Sequence, residues 1–177
     1  MNCMMIVLSC LGAGCVSATA GQPAKLTVSS DAFAQGRAIP SRHTCQGADI
    51  SPALKWESAP ANTKSFALIC DDPDAPGGTW VHWVLYNLPA DAVSLAERTP
   101  KSAALGNGAR QGRNSFRNIG YGGPCPPPGG AHRYFFKLYA LDVRLSLEGA
   151  PTKEQLLQAM TGHILAQGEL MGTYQRE

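Results

Sequence analysis

The sequence feature that most constrains the fold is an acidic, proline-containing turn followed at once by a strongly apolar segment. Residues 71–78 read DDPDAPGG and residues 79–87 read TWVHWVLYN. Aromatic and β-branched residues favour a strand over residues 79–86, and prolines and glycines favour a turn before it. Both faces of this strand are largely apolar, which predicts a central position in a sheet that is covered on both sides.

Strict alternation along this strand predicts which side chains share a face. One face would carry Trp80, His82, Val84 and Tyr86, and the other would carry Val81, Trp83 and Leu85. A histidine on a covered face needs a hydrogen-bond partner, because burying an unpaired polar group costs free energy.

Two longer segments predict further central strands. Residues 65–70 are apolar on both faces and lead directly into Asp71 and Asp72, and residues 131–141 follow the loop GYGGPCPPPGG. Alternation in the second segment places His132 and Tyr134 on one face beside this loop, with Arg133 on the other face in an expected ion pair. Shorter strands are predicted over residues 25–30 (an edge strand), 54–56 and 170–174.

The fold class follows from these elements and from the turn-forming residues between them. The chain has 177 residues with 19 Gly and 13 Pro, which suits one turn-rich domain. We therefore predict a mainly β fold, a single antiparallel β-sandwich, with a peripheral C-terminal helix. That helix begins at a capping box formed by Thr152 and Gln155. Its apolar face, divided at Gly162, would comprise Leu156, Leu157, Met160, Ile164 and Leu165.

The first twenty residues differ in composition from the rest of the chain. Residues 1–20 contain no charged residue, residues 6–16 are apolar or small, and the stretch ends in Ala18-Thr19-Ala20. This pattern predicts a signal peptide over residues 1–20, a folded domain over residues 21–177, and export to the periplasm or secretion. A lipoprotein anchored at Cys10 is the competing interpretation. The apolar stretch is too short for an integral membrane span.

The cysteines and the charge exclude several classes of function. Cys45 and Cys125 both lie in Gly- and Pro-containing loops, and the sequence leaves open whether they form a disulfide or stay as two thiols. Cys70 lies in an apolar run and is interpreted as a buried small side chain. No CxxC pair occurs, so no structural zinc site is predicted. A net charge of +2 without a Lys/Arg run gives nucleic-acid binding no support.

Polar groups at two strand ends form a candidate binding site. Asp72 and Asp74 precede His82, and the Gly/Pro loop precedes His132 and Tyr134. Imidazoles, a phenol and exposed backbone N–H groups can donate to an anion, and a carboxylate can orient an imidazole. We assign Asp72 to the pocket and Asp74 to the turn. The set suits a phosphate ester or a small carboxylate, held between His82, His132, Tyr134 and the Gly123 backbone.

The same two stretches resemble the motifs of a known family. Asp72-Pro73-Asp74-Ala75-Pro76 with Trp80-x-His82, and Gly123-Pro124 with His132-Arg133-Tyr134, are similar to those of the phosphatidylethanolamine-binding protein family. The resemblance is closest to its bacterial YbhB/YbcL-type, Raf-kinase-inhibitor-like branch. It implies a Greek-key β-sandwich with a pocket for a small anion such as a phospholipid headgroup. We predict a non-catalytic binding protein without a cofactor, because the residues supply donors and an orienting acid but no activated nucleophile or metal cage. Carried over by motif, the pocket residues are Asp72, Trp80, His82, Gly123, Pro124, His132 and Tyr134.

Other functions stay open at this point. The basic loop over residues 110–117 suits a protein-interaction module that inhibits a protease or a kinase. A metal-assisted or His/Asp hydrolase would need a metal cage or a nucleophile, and no G-x-S-x-G motif occurs. A purely structural exported domain and a homodimer are also compatible with the sequence. His43 and His163 lie outside the motifs and are interpreted as structural, and Trp56 and Trp83 as core residues.

The leader generates the first testable prediction. Protein isolated from its native cell should begin at Gly21, because Ala18 and Ala20 provide the small residues of a signal-peptidase site. N-terminal sequencing measures this directly. An intact Met1, or a lipid on Cys10, would contradict it.

Overall fold

The computed structural model describes residues 22–176 and contains two β-sheets and one α-helix. The predicted signal peptide over residues 1–20 lies outside the described residues. The strands are β1 (Ala24–Lys25), β2 (Thr27–Ser29), β3 (Leu54–Glu57), β4 (Ser65–Asp72), β5 (Trp80–Pro89), β6 (Ser94–Leu95), β7 (Arg110–Gln111), β8 (His132–Leu141) and β9 (Ile164–Tyr174). The helix α1 spans Lys153–Met160, and a 3-10 turn spans Ser41–His43.

The predicted mainly β sandwich with one helix outside it is confirmed. One sheet has six strands in the order β1-β9-β8-β4-β5-β7, and the other has three in the order β2-β3-β6. Within the larger sheet, β4, β5 and β7 lie side by side and β8 returns beside β4, which is a Greek-key order. Strand β6, between β5 and β7 in the chain, pairs in the smaller sheet. The three segments predicted as central strands are β4, β5 and β8, and all three are internal to the larger sheet.

The sandwich is not wholly antiparallel, and the predicted edge strand over residues 25–30 is divided. Strand β1 pairs with β9 in parallel, while β2 pairs with β3 in the other sheet. The chain changes sheets at the buried Leu26, whose N–H donates to the Gln167 carbonyl at 2.8 Å. A Cβ at Gly168 would lie 2.2 Å from the Leu26 carbonyl oxygen, so only glycine allows this close approach.

The larger sheet has an apolar cluster on each face. The cluster between the two sheets joins Trp56 of β3 to Trp83 of β5 and Phe136 of β8, which confirms both tryptophans as core residues. The second cluster lies on the outer face, where Leu156 and Met160 of α1 pack with Ile69 and other β4 and β5 residues. The helix therefore covers a sheet face that would otherwise be exposed.

The C-terminal region differs from the sequence prediction in one respect. The capping box is confirmed, because Thr152 Oγ1 accepts from the Gln155 N–H and the Gln155 side chain accepts from the Thr152 N–H. The helix ends at Met160, however, and Gly162 has a φ of 82°. Ile164 and Leu165, predicted on the helix face, belong to β9, which is longer than the predicted strand. A residue in the left-handed conformation ends a helix, and glycine adopts this conformation without steric cost.

A β-bulge changes the predicted alternation in β5. Cys70 pairs with Trp83 but Asp71 pairs with Val81, so His82 is an extra residue opposite β4. His82 therefore faces Tyr134 in the inter-sheet layer, with ring centroids 5.1 Å apart. Val84 and Tyr86 pack instead in the outer cluster, together with Val81. The predicted common face of His82, Val84 and Tyr86 is thus wrong, because the bulge inverts the alternation at His82.

The cysteine question left open by the sequence is resolved by the structure. Cys45 and Cys125 form a disulfide across a sequence separation of 80 residues, and Cys70 is a buried free thiol whose pKa is raised by burial. The disulfide joins the loop after the 3-10 turn to the Gly/Pro loop before β8. Among residues 22–176, no helix has the length and apolarity that crossing a membrane requires.

The disulfide generates a stability prediction. Replacing Cys45 and Cys125 together by Ala should lower the free energy of unfolding by about 2–5 kcal/mol, because the bond restricts a long loop in the unfolded chain. Urea unfolding monitored by tryptophan fluorescence measures the change. Dithiothreitol should lower the stability of the parent to that of the variant and leave the variant unaffected. Equal stability of parent and variant without reductant would show that the bond does not stabilise the fold.

Candidate functional site

A small cavity opens between the two motif regions at the end of the larger sheet. It has a volume of about 210 Å³, and strands β4, β5 and β8, the acidic turn, the Gly/Pro loop and the loop around Phe116 form its walls. Its lining residues are Asp72, Ala75, Pro76, Trp80, His82, Phe116, Cys125, Pro126, Pro127, His132 and Tyr134. Five of the seven pocket residues predicted from sequence therefore lie around one cavity.

Asp72 orients the imidazole of His132. The carboxylate is buried, and its Oδ2 lies 2.8 Å from His132 Nδ1. Its Oδ1 accepts the N–H of Asp74 at 2.8 Å, which closes the acidic turn. A carboxylate oxygen only accepts, so Nδ1 of His132 carries the hydrogen and Nε2 is left for a ligand. Asp72 thus serves both the pocket and the turn.

His82 is held by Gly122 through two hydrogen bonds. Its Nδ1 donates to the Gly122 carbonyl at 2.7 Å, and its own carbonyl accepts the Gly122 N–H at 2.9 Å. Burial lowers the pKa of His82 below its ordinary value of 6.5, and hydrogen bonds from the ring to backbone carbonyls oppose this shift in part. The imidazole is therefore largely neutral at pH 7, with Nε2 available as an acceptor.

Tyr134 supplies a buried hydroxyl that has no partner. The side chain is fully buried and lines the cavity, and no group of residues 22–176 meets the distance and angle of a hydrogen bond to its OH, as is also true of Tyr86 OH and Trp56 Nε1 outside the cavity. Burial, aided by the negative charge of Asp72, raises the pKa of Tyr134, so the phenol stays protonated and can donate. Buried polar groups are nearly always paired, and an unpaired one inside a cavity indicates a site for a ligand or a water.

Two partly exposed aromatic side chains stand at the cavity mouth. The rings of Trp80 and Phe116 are 5.4 Å apart in an edge-to-face arrangement, and Phe116 also contacts the His82 ring at 5.5 Å. Trp80 was predicted as a pocket residue, but Phe116 was not. A single aromatic residue in an otherwise polar and basic loop is the signal that could have identified it.

Gly123 and Pro124 do not line this cavity. The N–H of Gly123 donates to Asp49 Oδ1 at 2.6 Å, and the Pro124 carbonyl accepts the Cys45 N–H at 3.1 Å. The predicted donation from Gly123 to an anion is therefore wrong, because Asp49 already takes that N–H. A Cβ at Gly123 would lie 2.4 Å from the His43 carbonyl oxygen, so glycine is needed there for close packing.

The other charged and imidazole groups singled out from the sequence make structural contacts outside the cavity. Asp74 binds Arg133 through both carboxylate oxygens, at 2.7 and 2.9 Å, as expected for an ion pair on the opposite strand face. Hydrogen bonds from Arg133 lower the pKa of Asp74 to about 2. His43 is buried against the Ile50 carbonyl, and His163 pairs with Asp142 at the surface.

The cavity presents one donor, the Tyr134 hydroxyl, and two imidazoles that each have a free Nε2. Tyr134 OH donates, while Nε2 of His82 and of His132 accepts when the ring is neutral and donates when it is protonated. Such a set matches an oxyanion that binds together with a proton. No group of three or more His, Cys, Asp or Glu side chains within residues 22–176 is placed to hold a metal ion.

The fold and site define a class of protein: a β-sandwich that carries a small polar cavity at one end of its central sheet. The family model described as phosphatidylethanolamine-binding protein matches residues 29–175. The chain therefore belongs to the phosphatidylethanolamine-binding protein family, and the resemblance predicted from the two motifs is confirmed.

Individual relatives agree with this assignment. A UPF0098 protein of Methanothermobacter thermautotrophicus is 50% identical over 151 residues, which cover 85% of this chain and 99% of that protein. A phosphatidylethanolamine-binding protein homologue from Chlamydia trachomatis is 47% identical, with a TM-score of 0.79 over 86% of this chain and 99% of that one. YbcL of Escherichia coli is 33% identical, with a TM-score of 0.80 over 87% of this chain and 100% of that one.

The unpaired hydroxyl generates a stability prediction with a matched control. Tyr134→Phe should leave the free energy of unfolding unchanged or raise it by up to about 1 kcal/mol, because it removes a buried polar group that has no partner. Tyr121→Phe should lower it by about 1 kcal/mol, because that buried hydroxyl donates to the His43 carbonyl at 2.7 Å. Urea unfolding without ligand measures both. An equal loss in the two variants would show that the Tyr134 hydroxyl is paired.

Proposed function

We propose that this protein is a non-catalytic binding protein whose cavity takes a small anion, the phosphate group of a phosphate ester or a carboxylate. The observation that carries the proposal is the unpaired, buried Tyr134 hydroxyl between two imidazoles whose Nδ1 atoms are already bonded. Each imidazole has one ring nitrogen left for a hydrogen bond, and the hydroxyl can still donate its hydrogen. A tetrahedral or planar oxyanion can accept from all three when the rings are protonated.

The size of the cavity supports a headgroup rather than a whole lipid or drug-sized molecule. Its volume of about 210 Å³ is below the roughly 300–1,000 Å³ of ordinary small-molecule sites. The walls are stiff, because three prolines line them and the disulfide holds Cys125 in place. A preformed small cavity favours a compact anionic group and costs little ordering on binding.

The lining supports binding without turnover. A hydrolase of this kind needs a nucleophile beside its base. The lining sulfur, Cys125, is in a disulfide, and the raised pKa of Tyr134 keeps its phenol protonated. Both oxygens of Asp72 are bonded, to Asp74 and to His132. The arrangement therefore offers donors and an orienting acid, with no activated nucleophile among the lining residues.

Export is part of the same proposal. The disulfide between Cys45 and Cys125 supports an oxidising compartment, and the leader over residues 1–20 supports secretion across a membrane. We infer that the protein acts in the periplasm or outside the cell, where its ligand would be a soluble anion or an exposed headgroup.

Calorimetric titration with inorganic phosphate and phosphoethanolamine at pH 8 and pH 6 tests the proposal. Affinity should rise as the pH falls, because an anion favours the protonated imidazoles. His82 is neutral in the free protein at pH 8, since its pKa lies below 6.5, so binding must take up a proton. The affinity should continue to rise until the pH reaches the pKa that His82 has in the free protein. An affinity that falls between pH 8 and pH 6 would contradict an oxyanion site.

A pair of variants locates the site. His132→Ala should weaken phosphate binding about tenfold or more, because a charge-assisted hydrogen bond contributes roughly 1.5–3 kcal/mol and tenfold corresponds to about 1.4 kcal/mol. His163→Ala is the control, since it also removes an imidazole from a carboxylate, Asp142, but lies outside the cavity. Equal affinity in the parent and both variants would place the site elsewhere. If the parent hydrolyses a phosphoester and His132→Ala abolishes this activity, the protein is an enzyme and the proposal of a non-catalytic site is wrong.

A further inference from the structure

A second, larger space adjoins the anion cavity. It has a volume of about 620 Å³, and Phe116 and Cys125 line both spaces. Gly122 lines the larger space and bonds His82 of the smaller one through its carbonyl. We call the larger space the groove. A group that projects from an anion in the cavity past Phe116 would therefore enter the groove.

Phe116 forms the wall between the cavity and the groove. Its ring contacts His82 and Trp80 on the cavity side and lies over Gly122 on the groove side, where a Cβ would be 2.8 Å from Phe116 Cδ2. The loop that carries Phe116 is fixed, because the Asn114 N–H donates to the Asn118 carbonyl and the Asn114 side chain accepts the Asn118 N–H. Phe116 is 38% exposed, so part of its side chain is accessible to a ligand.

The groove carries polar groups that the fold does not use fully. Lys101 Nζ pairs with Asp49 Oδ2 at 2.6 Å, and both side chains stay partly exposed at 45% and 39%. An ammonium has three hydrogens, so Lys101 keeps donors for a ligand. Asn118 is exposed and lines the groove, and its side-chain amide has no hydrogen-bond partner among residues 22–176. These groups offer donors and acceptors to hydroxyls, beside an apolar wall.

We propose that the cavity and the groove form one elongated site for a phosphate monoester of a ring-shaped, hydroxyl-bearing group such as a sugar, with the phosphate in the cavity, the ring along Phe116 and its hydroxyls on Asn118 and Lys101. This assignment rests on the proposed anion cavity and adds the class of the substituent. Phe116 and Asn118 are then specificity-determining residues. The apolar face of a sugar ring packs on an aromatic side chain, while its hydroxyls need the polar partners that the groove provides.

Three probes, compared by calorimetric titration of the full folded domain at pH 6, separate the contributions of the phosphate, the ring and the hydroxyls to the affinity. Inorganic phosphate measures the cavity alone, cyclohexyl phosphate adds a ring without hydroxyls, and glucose 1-phosphate adds a ring with hydroxyls. In the parent we expect glucose 1-phosphate to bind at least tenfold more tightly than phosphate and at least threefold more tightly than cyclohexyl phosphate. Val93→Ala, a change at an exposed side chain outside both spaces, should leave all three affinities as in the parent.

Two variants test the assigned residues. Asn118→Leu keeps a similar volume but removes the amide, so the advantage of glucose 1-phosphate over cyclohexyl phosphate should fall at least threefold. Phe116→Ala removes the wall, so the affinity of both ring-bearing esters should fall relative to phosphate. Thermal unfolding of each variant checks that the domain is folded.

The outcomes distinguish the inference from the function on which it rests. If phosphate and both esters fail to bind the parent, the anion cavity itself is wrong. If phosphate binds but the three probes have equal affinities in the parent, the cavity stands and the groove assignment is overturned. If glucose 1-phosphate binds the parent tightly but the ratios of the three probe affinities are unchanged in Asn118→Leu and Phe116→Ala, the assignment of these two residues is overturned.

Discussion

The rest of the structure depends on two adjacent carboxylates at the end of β4, which lie on opposite faces of the central sheet. Asp71 is fully buried and binds Lys137 of β8 and Lys153 of α1, at 2.9 and 2.5 Å. Asp72 is buried on the other face and binds His132. A buried carboxylate without a partner destabilises a fold by several kcal/mol, so each of these charges requires its partner to be in place. One strand end therefore positions both the covering helix and the wall of the cavity.

The cavity is built by constraints that leave its polar groups in one geometry before any ligand arrives. The bulge turns His82 into the inter-sheet layer, Gly122 holds its Nδ1, and Asp72 holds the Nδ1 of His132. Tyr134 is left with a buried hydroxyl that no residue of the described chain satisfies. A water or a ligand in the cavity can satisfy this hydroxyl, which supports a binding site between the two imidazoles.

A large part of the fold was predictable, because its signals are local. Each signal depends on near neighbours in the chain. Examples are the apolar runs at residues 65–70 and 79–86, the capping box at Thr152, and the opposite strand faces of the consecutive residues His132 and Arg133. Strand faces predicted an ion pair for Arg133, but only the structure identified Asp74 as its partner and His132 as the partner of Asp72. The candidate site was predictable to a similar extent. The five lining residues that were predicted lie on strands, whereas Phe116 and the lining residues of the two proline loops were not predicted.

The sequence by itself determined which segments become strands and where the helix begins, because periodicity and turn chemistry act over a few residues. That Asp72, His82, His132 and Tyr134 belong to one pocket was implied by the resemblance of the two motifs to a known family. Tertiary structure alone decided the disulfide, the bulge at His82 and the use of the Gly123 N–H by Asp49, 74 residues away. Periodicity cannot signal these features. A bulge depends on the strand beside it, and a hydrogen bond between distant loops depends on how closely the packed backbones approach.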